Sequence, residues 1–179
     1  MSSQSDSESN NTMCPVIGID IGLNGGIGII YPWLIGTNLE AKVFEMPTLK
    51  SPNGKGRMYD LKQICKIMPA TAIVYIEKQN PFPGQGVVSA GRLMQGQGMF
   101  LGICAARFYK HELVSPKTWQ KEMLAGELKG DTKAASISKC QKLYPFVELT
   151  PGKCSKPKDG MSDALLIASY GARRNYGNN

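Results

Sequence analysis

At 179 residues the chain has room for about one domain, which excludes enzymes that close a cleft between two lobes. Hydrophobic residues make up 42% and charged residues 20%, enough to bury a core, yet no run of about 18 apolar residues exists to cross a bilayer. Lys and Arg number 21 against 14 Asp and Glu, so the formal charge is +7 and the pI is near 9.2, which points to a phosphate-rich partner.

Residues 1–12 are Ser- and Asn-rich and carry Asp6 and Glu8 as their only charges, so the remainder is more basic than the whole. They have neither the apolar core of a secretion signal nor the Arg-rich character of a transit peptide, and read as a disordered tail before one domain over 13–175. Residues 16–21, Val-Ile-Gly-Ile-Asp-Ile, read as a buried strand, Asn24-Gly25-Gly26 as a turn, and 27–30 as the returning strand of a hairpin. A third strand is expected at 41–46. Residues 47–56 hold two prolines, two glycines, Lys50 and Lys55 and read as a mobile basic loop.

Leu61, Ile64, Cys65 and Met68 recur at helical spacing. Residues 72–77 form a strand ending on Glu77, and 78–86 a loop with Pro81, Phe82 and Pro83. Residues 88–109 suit a helix in which Gly91, Gly98 and Gly102 share one face, where the sheet or a second subunit can approach closely. Met94, Met99 and Phe100 read as core or interface. A short strand at 113–114 precedes a helix opened by Pro116 and reaching about Met123. Asp131 or Thr132 caps a helix through Ile137, Cys140 and Tyr144. A basic stretch, 151–159, leads into a last helix over about 162–173. Three strands joined by short turns, then strands separated by helices, imply an α/β fold with a mixed sheet flanked by helices.

Three places put carboxylates at the rim of that sheet: Asp20, Glu77, and Asp159 with Asp163. Each has a plain structural alternative. Asp20 can cap the amides of its turn, Glu77 can pair with Lys78 at an exposed strand end, and Asp159 and Asp163 can simply favour a helix start. Together, however, they concentrate negative charge on one side, and a divalent cation relieves that repulsion. The five cysteines are scattered singly and His111 is the sole histidine, so zinc-type ligand pairs are missing, whereas hard oxygen donors suit Mg²⁺ or Mn²⁺. Two such ions activate water on one side of a phosphodiester and stabilise the leaving oxygen on the other. Cysteines scattered in this way also imply a reducing compartment.

Four segments, GIDIGLNGGIGII at 18–30, AIVYIEKQ at 72–79, GRLMQGQGMFLGI at 91–103 and DGMSDALLIASYG at 159–171, resemble the RuvC-type Holliday junction resolvases of the ribonuclease H-like fold. The last segment is similar to the phage and organelle branch. The resemblance implies a mixed five-stranded sheet flanked by helices. It also implies a homodimeric, Mg²⁺-dependent endonuclease that nicks four-way DNA junctions in pairs, in the cytoplasm or another reducing, DNA-containing compartment, with no membrane association. Asp20, Glu77, Asp159 and Asp163 are the metal ligands so implied, and Lys133, matching the family's lysine at the start of a helix, would help neutralise the scissile phosphate.

The chain departs from the family in two places. Asp159 and Asp163 are four apart rather than three, so a cap at Ser162 would leave Asp159 in the loop. The family's lysine after the segment 115–119 is Gln120 here, which leaves Lys121, with Lys117, as DNA-contact candidates. Phe82, on a proline-stiffened loop beside Glu77, either stacks on an unpaired base or packs on the sheet edge. Lys153, Lys156 and Lys158 form either a phosphate-tracking run or a solvated loop, and Arg173 and Arg174 fit a helix end. Residues 20–26 also resemble the phosphate loop of actin-like kinases and chaperones, although one small domain cannot form their cleft. The same fold without metal would be a basic DNA- or RNA-binding module, and a hybrid-cutting ribonuclease H or a transposase fragment would use similar acids.

Overall fold

The structure is a computed structural model and describes residues 13–34, 40–81, 84–127, 130–152 and 154–177. The expected tail, 1–12, lies outside the described residues, as do Phe82 and Lys153. The chain opens with β1 (Val16–Asp20), β2 (Gly26–Ile30) and, after a 3-10 turn at Pro32–Leu34, β3 (Ala41–Glu45). These three strands form an antiparallel meander. Next come β4 (Thr48–Lys50), β5 (Arg57–Tyr59), α1 (Leu61–Ile67) and β6 (Ile73–Glu77), and then α2 (Val87–Ala106) and β7 (Lys110–Val114). Three helices close the chain: α3 (Pro116–Met123), α4 (Thr132–Leu143) and α5 (Asp159–Tyr176). The main sheet has the order β3-β2-β1-β6-β7, with β6 and β7 parallel to β1, which makes it the expected mixed five-stranded sheet.

Most helix starts are written in the sequence. Asp60 accepts from the Gln63 amide at 2.9 Å, Ser115 from that of Thr118 at 3.2 Å, and Asp131 from those of Lys133 and Ala134 at 3.1 Å. Each such cap contributes about 1 kcal/mol.

Side chains alternate across the sheet. Ile17, Ile19, Val74 and Ile76 point to one side and build a core with Ile64 of α1 and Phe100 and Cys104 of α2. Val16, Tyr75 and Val114 point to the other and meet α5. That helix lies flush on the strands because they present glycine to it. A methyl group at Gly18 would lie 2.2 Å from the Ala164 carbonyl oxygen, and one at Gly28 would lie 2.5 Å from the Leu165 Cα. α3 and α4 pack against α5 in turn, so Leu165, Leu166 and Ile167 are fully buried. Each stabilises the fold by roughly 1.5–3 kcal/mol.

Four expectations are corrected. Residues 47–56 do not form a loop throughout: β4 and β5 pair as a hairpin, turned through Gly54 and Gly56, both at positive φ. The last helix begins at Asp159, capped by Lys158, rather than at Ser162, and the edge strand is Lys110–Val114 rather than two residues. On α2 the sheet is not what approaches Gly91, Gly98 and Gly102, which have nothing within 4 Å in this chain; of the two expected neighbours only the sheet is ruled out there, and Gly96 takes its close approach, against Tyr59 and Ile21. Met94 is exposed, and of the three large side chains named there only Phe100 is fully buried. The helix turns its glycine-poor side inward because Phe100 and Cys104 bury more apolar area than glycines do.

Candidate active site

Asp20 and Glu77 end adjacent parallel strands, with Ile19 opposite Ile76, and by alternation both fall on the face covered by α5. The first two turns of α5 deliver Asp159 and Asp163 to the same rim. The helix comes close through glycine: a methyl group at Gly160 would stand 2.4 Å from the Asn24 carbonyl oxygen and 3.0 Å from Asp20 Oδ2. The β1–β2 turn and the start of α5 therefore interlock around the Asp20 carboxylate.

The four acids have different environments. Among the described residues the Asp20 side chain accepts no hydrogen bond and forms no ion pair. Burial pushes its carboxyl well above the usual range, and the charges of Glu77, Asp163 and Asp159 push the same way against Lys133. Glu77 is raised by burial, offset by the Trp119 indole N–H, which donates to Oε1 at 3.0 Å, and by Gln79, 3.4 Å from Oε2. It does not pair with Lys78. Burial raises Asp163 to about 6 despite the hydroxyl hydrogen bond it accepts from Ser136, and Glu77 and Asp159 add to the rise. Asp159 forms an ion pair with Lys133 at 2.7 Å; the hydrogen bond from that ammonium group is the main cause of its lowered pKa.

The sequence pattern did not single out the donors that hold these acids. Trp119 projects from α3 to Glu77, Ser136 from α4 to Asp163, and Gln79, whose side chain reaches Glu77, is anchored by its backbone N–H, which donates to Oε1 of Gln97 on α2 at 2.8 Å. A lone Trp, Ser or Gln has no spacing signature, although a fully buried Trp needs a partner for its N–H, and that requirement was the available signal.

The basic candidates are more dispersed. Lys117 and Lys121 are exposed on α3, which starts beside Glu77 because Val114 pairs with that residue. Lys156 is exposed in the loop before α5, and Lys158 pairs with Glu45 at 3.3 Å. Among the described residues no three acidic, histidine or cysteine side chains stand close enough to enclose one ion as they are. The donor set is nonetheless one a hard divalent cation favours: carboxylate oxygens only, that of Asp20 half-buried with no hydrogen bond among the described residues and raised by burial and by its neighbours' charge.

No protein-family model matches the sequence, and no curated protein matches it. Solved structures do. Thermus thermophilus RuvC in complex with a Holliday junction substrate is 15% identical, with a TM-score of 0.53 over 92% of this chain and 98% of that one. The Thermus thermophilus RuvC structure on its own is 16% identical, with a TM-score of 0.54 over 90% and 96%. The yeast mitochondrial Holliday junction resolvase Ydc2 is 17% identical, with a TM-score of 0.49 over 91% and 81%. With its mixed five-stranded sheet, and matched to Thermus thermophilus RuvC along nearly the whole of both chains, this chain has the ribonuclease H-like fold of RuvC.

Proposed function

We propose that the protein is a Holliday junction resolvase, a structure-specific endodeoxyribonuclease that makes paired nicks in four-way DNA junctions as a homodimer. The observation that carries this reading is Asp20: a half-buried carboxylate that accepts no hydrogen bond among the described residues, raised by burial and by three neighbouring acids, in a chain of net charge +7. Asp20, Glu77, Asp159 and Asp163 would hold Mg²⁺, for which Mn²⁺ substitutes. Bound there, the metal would lower the pKa of an attacking water and offset charge on the leaving oxygen.

The chain's own groups prepare that chemistry. Trp119 and Ser136 orient Glu77 and Asp163 through the hydrogen bonds they donate. Lys133, exposed and paired with Asp159, supplies a positive charge to the scissile phosphate as negative charge develops on it. Lys117, Lys121, Lys153, Lys156 and Lys158 follow the flanking backbone, and Phe82 stacks on a base at the branch point. The protein works in the cytoplasm or another reducing, DNA-containing compartment. No disulfide joins its cysteines, and no helix among the described residues is long and apolar enough to cross a membrane.

Glu77→Gln and Asp20→Asn are expected to lower junction cleavage by on the order of 10²–10³-fold or more, while junction binding in Ca²⁺ persists. Undiminished cutting by either variant would refute the site. Substrate class is tested by offering a mobile four-way junction, a linear duplex and an RNA–DNA hybrid side by side, with and without Mg²⁺. Preferential hybrid cutting identifies another ribonuclease H-fold nuclease, and binding without any cutting identifies a non-catalytic module.

A further inference from the structure

The β4–β5 hairpin presents a cationic face beside the site that none of the roles above uses. Its register sets Thr48 opposite Tyr59, Leu49 opposite Met58 and Lys50 opposite Arg57. With side chains alternating, Lys50, Arg57 and Tyr59 share one face. That face runs from the core beside Ile21 to the β1–β2 turn. Tyr59 is only 8% exposed and packs beside Ile21, the residue after Asp20, with its hydroxyl where a methyl group on Gly96 would be 2.5 Å away. Arg57 donates from its guanidinium to the Asn24 side chain, on the very turn whose backbone abuts Gly160 and the start of α5. The root of the hairpin is held by the Met46 amide on the Gly25 carbonyl at 3.0 Å and the Asp60 amide on that of Pro47 at 2.9 Å.

Lys50 and Arg57 are both exposed, and among the described residues neither forms an ion pair with a carboxylate. Like charges directly opposite on a ribbon destabilise it. An anion between them removes that repulsion, and an ammonium beside a guanidinium is the pairing that a phosphodiester accepts well.

We propose that Lys50 and Arg57 form a clamp for one DNA strand, gripping backbone phosphates next to the one cleaved. This rests on the DNA-cleaving reading above and adds a contact to it. The clamp reads charge and not base or branch, so it serves junction and duplex alike.

The test is a salt titration of binding in Ca²⁺, using a synthetic four-way junction and a linear duplex. For Lys50→Gln, the slope of log affinity against log salt should fall by about one. For Lys50→Gln with Arg57→Gln it should fall by about two, with affinity lowered about tenfold on both DNAs. Arg57→Lys keeps the charge and should keep the slope. Lys50 packs against nothing in the core, so Lys50→Gln should melt as the parent does. An unchanged slope and affinity in Lys50→Gln overturns the clamp, as does a loss confined to the junction. If the parent protein binds both DNAs yet cuts neither, the resolvase reading fails while the slopes still decide the clamp. If it binds neither, both fail.

Discussion

Asp159 and Asp163 lie one helical turn apart, yet their carboxyls move in opposite directions. The Lys133 ammonium holds the first below its usual range, whereas burial lifts the second to about 6. A raised carboxyl favours the folded state only while protonated. The contribution of Asp163 is therefore fully present below its usual 3.8 and is lost as pH rises through about 6. Asp20 shifts the same way, and Asp159 acts in the opposite sense only as pH falls below its usual range. In metal-free buffer the melting temperature should fall across that window on this account. Mg²⁺ should restore it above about pH 6, where the acids are ionised, and do nothing near pH 4, where protonated carboxyls are poor ligands. Thermal melts with and without Mg²⁺ at the two ends check this, and equal effects of the ion at both ends would count against the ligand set. The acids themselves were legible as residues, since charge beside a run such as Val16–Asp20 stands out. Their holders Trp119 and Ser136 were not, because a hydrogen bond spanning 42 residues, as from Trp119 to Glu77, leaves no local trace.

Helix α5 depends on glycine in the strands beneath it. Gly18→Ala or Gly28→Ala places a methyl group against α5 backbone, which cannot yield as a side-chain tip would, and should destabilise the protein by about 1–3 kcal/mol or more. Gly98→Ala is the contrasting case: the site is exposed and helical with nothing within contact distance, so the change should stabilise by roughly 0.5–1 kcal/mol. Urea denaturation of the three variants decides both claims. Element types and order were readable along the chain because periodicity and caps are local. The β4–β5 pairing was missed because three-residue strands carry too little pattern, and its turn glycines read equally well as loop. The start of α5 was misjudged for a related reason: Lys158 caps it without a side-chain hydrogen bond, so the capping signature pointed to Ser162.

For the molecule as a whole, the sheet divides two cores, and the acids collect where β1 and β6 end against the start of α5. If the protein cuts both sides of a four-way junction, sedimentation should find a two-fold dimer, because two-fold symmetry presents two such sites to one substrate. A monomer that still makes paired nicks would contradict this. The sequence by itself determined the charge balance, the α/β order of elements and the identity of the acids, since all of these follow from composition and near-neighbour spacing. Only the tertiary structure decided that Asp20 would be half-buried with no hydrogen bond among the described residues and that Asp159 would face Lys133. Each of those depends on backbones meeting across long stretches of chain, at Gly18, Gly28 and Gly160, where the missing side chain sets the distance.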